Sequence, residues 1–269
     1  MNKNAIGVFD SGLGGLTAVK ELLSVLPNED IVYFGDTSRV PYGTRSFKTI
    51  TDYAAQDLNF LSTHNVKIAL VACGTVSAVA LSHLKGNYPF NVVGVIESAA
   101  RAAVNATENK KIAILGTAAT IKSNAYKTAI EQMDNTIETI SIACPLFVPL
   151  VENGHTDKND ELTKGAVKLY LSAVKDFGAD TVILGCTHYP LIAGAIGEFL
   201  GKSVTLINSG KEAAKTIKTL LENENMLNQS GGAQRFFVSD STESFEKYAG
   251  LFLGKTLNGE VKKVDIENY

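Results

Sequence analysis

This sequence predicts an α/β fold of two pseudo-symmetric, doubly wound parallel-sheet domains with a cleft between them, on three observations. Short apolar runs alternate with longer segments whose apolar residues recur at helical spacing, the pattern of strands joined by crossover helices. A cysteine stands at the end of an apolar run twice, in ALVACGT (69–75) and in TVILGCT (181–187), as if the same kind of unit occurred in each half. The chain has 269 residues, more than the ~100–200 of one ordinary domain.

The strand segments, in order, are 5–9, 30–34, 67–72, 91–96, 111–115, 136–142, 180–184, 203–207 and 235–239. Between them, 16–26, 49–64, 124–133 and 162–178 are apolar at helical period and polar elsewhere. Right-handed crossovers should place helices on both faces of each sheet. The first domain is expected to take 1–96 together with the tail 208–269, which adds helices and one more strand and packs back on the first half. The second domain takes 97–207.

Composition narrows the function. The chain is 45% hydrophobic and 20% charged, which is enough apolar material for a core. A net charge of −3 and a pI near 5.9 give no electrostatic basis for binding nucleic acid or an anionic membrane. A small molecule is the expected partner. The N-terminus lacks the apolar stretch of a signal peptide, and no run approaches the ~18 apolar residues of a membrane span. Cys73, Cys144 and Cys186 are too few and too widely spaced for a disulfide framework or a structural zinc site, so they read as free thiols of a cytoplasmic protein. No metal site is expected.

Asp10, Asp36, Cys73, Thr117 and Cys186 all fall at or just past the C-terminal end of a strand segment, where open α/β sheets bind ligands. Cys144, in SIACPLF, reads as a small buried hydrophobe. Cys73 and Cys186 read differently, because small polar residues follow them (Gly74-Thr75 and Thr187-His188) and each precedes a helix start, whose dipole favours a thiolate. Two thiols on opposite walls of a cleft suit inversion of a carbon centre, in which a base removes a proton from one face while an acid supplies one to the other. A cysteine with a pKa near ~8.5 needs a partner for this, and Asp10, His188 and Glu152 are available. No lysine lies in a recognisable Schiff-base context, so no pyridoxal phosphate, and no other cofactor, is expected. The glycines of DSGLGG partly imitate a dinucleotide fingerprint, but Thr17 stands at the third glycine and Asp10 would face the pyrophosphate.

DSGLGG (10–15), FGDTSRVPYG (34–43), AC-x-T (72–75), LGT-x-x-T (115–120), PLFVPLVE (145–152) and GCTHYP (185–190) occur in the order in which the cofactor-independent glutamate racemases carry them. On these segments the sequence resembles that family. The resemblance implies interconversion of L- and D-glutamate for bacterial peptidoglycan, by a cytoplasmic homodimer. It implies that Cys73 deprotonates D-glutamate with help from Asp10, and that Cys186 deprotonates L-glutamate with help from Glu152 and His188. Ser11, Pro41, Tyr42, Gly43, Gly74, Thr75, Thr117, Thr120 and Thr187 would line the substrate site, their hydroxyls and backbone N–H groups holding its carboxylates and ammonium.

Bland roles exist beside these. Pro41–Gly43 reads equally as a turn, Thr117 and Thr120 as helix caps, and His188 as a satisfied helix-start histidine. One residue departs from the family pattern: Gly74 stands where the family usually has Asn. Loss of that amide removes a hydrogen bond and leaves room for a bulkier substrate: if the site takes glutamate, Gly74→Asn should change affinity by up to ~1 kcal/mol, and if it takes a larger amino acid, the new amide should weaken that substrate markedly. The alternatives to glutamate are racemisation of another amino acid or a hydantoin, and a catalytically silent amino-acid-binding protein.

Overall fold

The computed structural model describes residues 4–269. In chain order its strands are β1 (Ala5–Asp10), β2 (Ile31–Gly35), β3 (Val66–Val71), β4 (Asn91–Gly94), β5 (Lys111–Gly116), β6 (Glu138–Ala143), β7 (Thr181–Leu184), β8 (Thr205–Asn208), β9 (Gln234–Val238) and β10 (Val261–Lys263). They form two parallel sheets, ordered β10-β9-β2-β1-β3-β4 and β6-β5-β7-β8. Helices connect the successive strands of each sheet, as the alternating pattern requires.

The second sheet repeats the order of the first. β2-β1-β3-β4 and β6-β5-β7-β8 are the same arrangement, so β1 corresponds to β5 and β3 to β7. Strand order reverses between β1 and β3 and again between β5 and β7, and these are the points where doubly wound sheets open a crevice at their carboxyl ends. Cys73 follows β3 and Cys186 follows β7. The two thiols therefore stand at corresponding switch points of the two sheets.

Successive residues of a strand point to opposite faces, and the core follows that alternation. Ile6, Val8, Ile31, Tyr33, Ile68 and Leu70 of the first sheet share one cluster with Ala113, Leu115, Val182 and Leu184 of the second. Their strand neighbours face the other way: Phe9, Val32, Phe34, Ala69 and Val71 join a cluster beneath the helix Phe47–Ser62. Ile112, Ile114 and Ile183 join a third. The helices Leu16–Val25 and Ser209–Asn223 pack on each other within the shared cluster and join the two sheets.

The tail adds two strands where the sequence predicts one. β10 is only the tripeptide VKK, too short and too polar to register as an apolar run. It closes the sheet edge, with Lys262 and Lys263 exposed, the usual protection of an edge against further pairing. No helix of the described residues is long and apolar enough to cross a membrane.

Candidate active site

A cavity of about 310 Å³ opens between the carboxyl ends of the two sheets. Ser11, Gly12, Pro41, Tyr42, Gly43, Cys73, Gly74 and Thr75 line it from the first sheet's loops; Thr117, Glu152, Cys186, Thr187 and His188 line it from the second's. Its size is at the small end of ligand sites. Among the described residues lining it there is no lysine or arginine.

Cys73 sits at the N-cap of the helix Gly74–Val79 and is 5% exposed. Its thiol donates to Ser11 Oγ at 3.7 Å. Burial, and then the nearby Asp10 carboxylate, push its pKa up to about 12, so Cys73 is a thiol at neutral pH. Asp10 itself does not line the cavity. It is 1% exposed, its Oδ2 accepts the Gly12 N–H at 3.0 Å, and its Oδ1 has no hydrogen-bond partner. Burial raises its pKa, against the opposing pull of His188.

The second thiol has different company. Cys186 Sγ lies 3.8 Å from His188 Nδ1, and His188 Nε2 lies 3.0 Å from Glu152 Oε1. Burial alone would lower the imidazole pKa, but the contacts with Cys186 and Glu152 outweigh it and lift His188 to about 10. An imidazolium beside a thiol favours the thiolate. Sulfur, imidazole and carboxylate thus form a relay in which the half-exposed Glu152 connects to solvent.

Hydroxyls fill the rest. Thr75 Oγ1 and Thr117 Oγ1 meet at 2.9 Å across the cleft, and Thr117 Oγ1 continues to Thr120 Oγ1 at 3.0 Å. Thr117 also caps the helix Ala118–Ser123 by accepting the Thr120 N–H, so its capping role and its place in the cavity coexist. Thr120 is buried behind it and does not line the cavity. Tyr42 is 1% exposed, and its hydroxyl points away into Asp36 and Asp57, so it presents its main chain and not its hydroxyl group to a ligand.

The glycines record how closely the loops approach. A Cβ at Gly14 would lie 2.2 Å from Thr187 Oγ1, and one at Gly43 would lie 2.9 Å from Thr117 Cβ. At Gly74 a Cβ would lie 2.1 Å from the carbonyl oxygen of Gly185. The expected room beside Gly74 is therefore not there: the backbone that precedes Cys186 occupies it. Thr17 adds a tie between the halves, its hydroxyl lying 2.9 Å from both Gly14 O and Thr187 O.

Cys144, read from sequence as an ordinary core thiol, also lines the cavity, with Pro145, Val148 and Pro149 beside it. Its signal was its position directly after β6, the same strand-end criterion that singled out Cys73 and Cys186. Burial raises its pKa and it has no imidazole partner, so it contributes a neutral surface. Asp36, also at a strand end, is fully buried outside the cavity.

Residues 11–217 match the family model for Asp/Glu/hydantoin racemases. A glutamate racemase of Geobacter metallireducens is 44% identical over 265 residues, 98% of this chain and 97% of its own. A crystal structure of glutamate racemase from Francisella tularensis in complex with D-glutamate superposes with a TM-score of 0.92 at 38% identity, covering all of both chains. One from Bacillus anthracis does so with a TM-score of 0.93 at 36% identity, over 98% of this chain and 99% of that one. With a match over most of its length and two thiols at corresponding switch points, the chain belongs to the Asp/Glu/hydantoin racemase family.

Proposed function

We propose that this protein interconverts L- and D-glutamate by two-base proton transfer that needs no cofactor. One observation carries the reading: Cys73 and Cys186, from corresponding ends of two different sheets, line one small cavity. Its relatives' activity and the D-glutamate in the Francisella complex support glutamate as the substrate.

The two thiols start in different surroundings. Cys73 is held protonated by burial and by Asp10, while Cys186 faces a histidine held protonated. The resting site thus offers an imidazolium beside the thiol on the Cys186 side and a protonated thiol on the Cys73 side. L-Glutamate loses its Cα proton to Cys186 and gains one on the opposite face from Cys73, and D-glutamate reacts in reverse after the thiols exchange protons with solvent. Ser11, Thr75, Thr117 and Thr187 offer hydroxyls, and Pro41–Gly43 and Gly74 offer main chain, to the carboxylates and ammonium. Thr120 supports Thr117 from behind. No lysine or arginine among the described residues lines the cavity, and the His188 imidazolium is engaged by Cys186 and Glu152, which leaves neutral donors for the carboxylates.

The same reading, through the family resemblance, makes the protein a cytoplasmic homodimer supplying D-glutamate to peptidoglycan. Racemisation followed by circular dichroism over a panel of amino acids tests the substrate. Glutamate should be turned over best. At least tenfold higher kcat/KM with another amino acid, or no turnover of any, would overturn the proposal.

A further inference from the structure

One polar cluster lies outside the cavity yet directly behind its wall. Asp36 and Asp57 are completely buried, and Arg39 lies between them. Arg39 Nε donates to Asp36 Oδ2 at 2.6 Å, and Nη2 to Asp57 Oδ1 at 3.3 Å. Nη1 donates to Gln56 Oε1 at 2.5 Å and to Glu267 Oε1 at 3.4 Å. The guanidinium also covers the Tyr53 ring at 4.1 Å, and Tyr53 packs on Tyr42 at 5.4 Å. Ser239 Oγ donates to the other oxygen of Asp36 at 2.8 Å.

The Tyr42 hydroxyl links this cluster to the cavity wall, donating to Asp36 and Asp57. Tyr42 opens the short turn Tyr42–Thr44, and Pro41, Tyr42, Gly43 and Thr44 all line the cavity. On its far side the turn meets Thr117, which a Cβ at Gly43 would touch. We propose that Arg39, with Asp36 and Asp57, is a positioning group that fixes the Pro41–Thr44 wall through Tyr42 and so sets how tightly both enantiomers are held. Arg39 is engaged on all sides by groups of the protein and lies outside the cavity, so it acts through the wall and not on the ligand. A planar fork is required, because a lysine ammonium reaches one carboxylate at a time and cannot lie flat on Tyr53.

The proposal rests on the reading of the cavity as a racemase site. Its test compares Arg39→Lys and the nearly isosteric Asp57→Asn with Lys67→Met, which breaks a buried ion pair to Glu29 (2.6 Å) remote from the cavity. Both cluster variants should raise KM for L- and D-glutamate about tenfold with kcat changed less than about threefold, the pattern of lost uniform binding. Lys67→Met should lower Tm and leave KM unchanged. Unaltered KM in either folded cluster variant, or the same KM shift in Lys67→Met at equal loss of Tm, overturns the proposal. A wild type inert towards glutamate overturns the earlier reading instead, and the KM comparison is then made on the amino acid it accepts.

Discussion

His188 Nε2 lies 3.0 Å from Glu152 Oε1, and this contact helps to hold a proton on the imidazole that faces Cys186. With its outer nitrogen on a carboxylate, the imidazole keeps its proton and turns its other nitrogen to the Cys186 sulfur. Cys73 has a buried carboxyl for a neighbour instead. Two walls built on the same strand order thus carry different charge.

Replacement of either thiol by a hydroxyl should stop the reaction. Cys73→Ser and Cys186→Ser each keep the shape of the site but substitute a far weaker base, so kcat should fall by about 10²–10⁴ in both directions. Circular dichroism of product formation measures it, with a thermal melt to show that the fold survives. Near-wild-type turnover in either variant contradicts the two-base assignment.

Damage to the relay has a signature beyond a lower rate. L- and D-glutamate have equal free energy in water, so His188→Asn must lower kcat/KM equally for both, by about 10–100-fold for a weakened acid–base pair. The asymmetry should emerge in isotope effects. With the Cys186 step slowed, Cα-deuterium should retard L-glutamate more than in the wild type and D-glutamate less. The opposite pattern would assign Cys186 to the D enantiomer.

Stability should decline in alkali over a window that His188 defines. Its pKa is raised from 6.5 to about 10 in the folded protein, so the fold binds this proton more tightly than the unfolded chain does. That contribution is fully present below pH 6.5 and is lost as pH rises through 10. Cys73 acts in the same direction but later, between 9.0 and about 12. Urea melts from pH 6.5 to 9 should therefore show falling stability in the wild type and a flatter profile in His188→Asn. Parallel profiles would remove the histidine from the explanation.

Gly74 should not tolerate a side chain. The carbonyl of Gly185 lies where the Cβ would stand, and a backbone atom on a strand end yields less readily than a flexible side chain. Gly74→Ala and Gly74→Asn should each destabilise by about 1–3 kcal/mol, as overpacking does, and lower kcat by displacing Cys186. Thermal melts with initial rates check this. A stable Gly74→Asn of full activity would show that the two strand ends can separate.

Much of this was legible in the sequence because single residues carried it. The nine expected strands all occur, and the strand-end positions of Cys73, Thr117 and Cys186 mark the cavity. β10 was not legible, since VKK has neither length nor apolar period. The cavity face of Cys144 was hidden by an apolar context that fits a core thiol equally well. The outward turn of the Tyr42 hydroxyl depends on Asp57, fifteen residues later on a different element, and the filling of the Gly74 position depends on Gly185, a contact between the halves. No local pattern records either.

The most direct measurement is the fate of the Cα proton when L-glutamate reacts in deuterium oxide. Two thiols on opposite faces should deliver solvent deuterium to the D-glutamate product, while L-glutamate recovered early in the reaction keeps its proton. Deuterium appearing equally in recovered L-glutamate, or product that retains the original proton, would mean that a single base serves both faces.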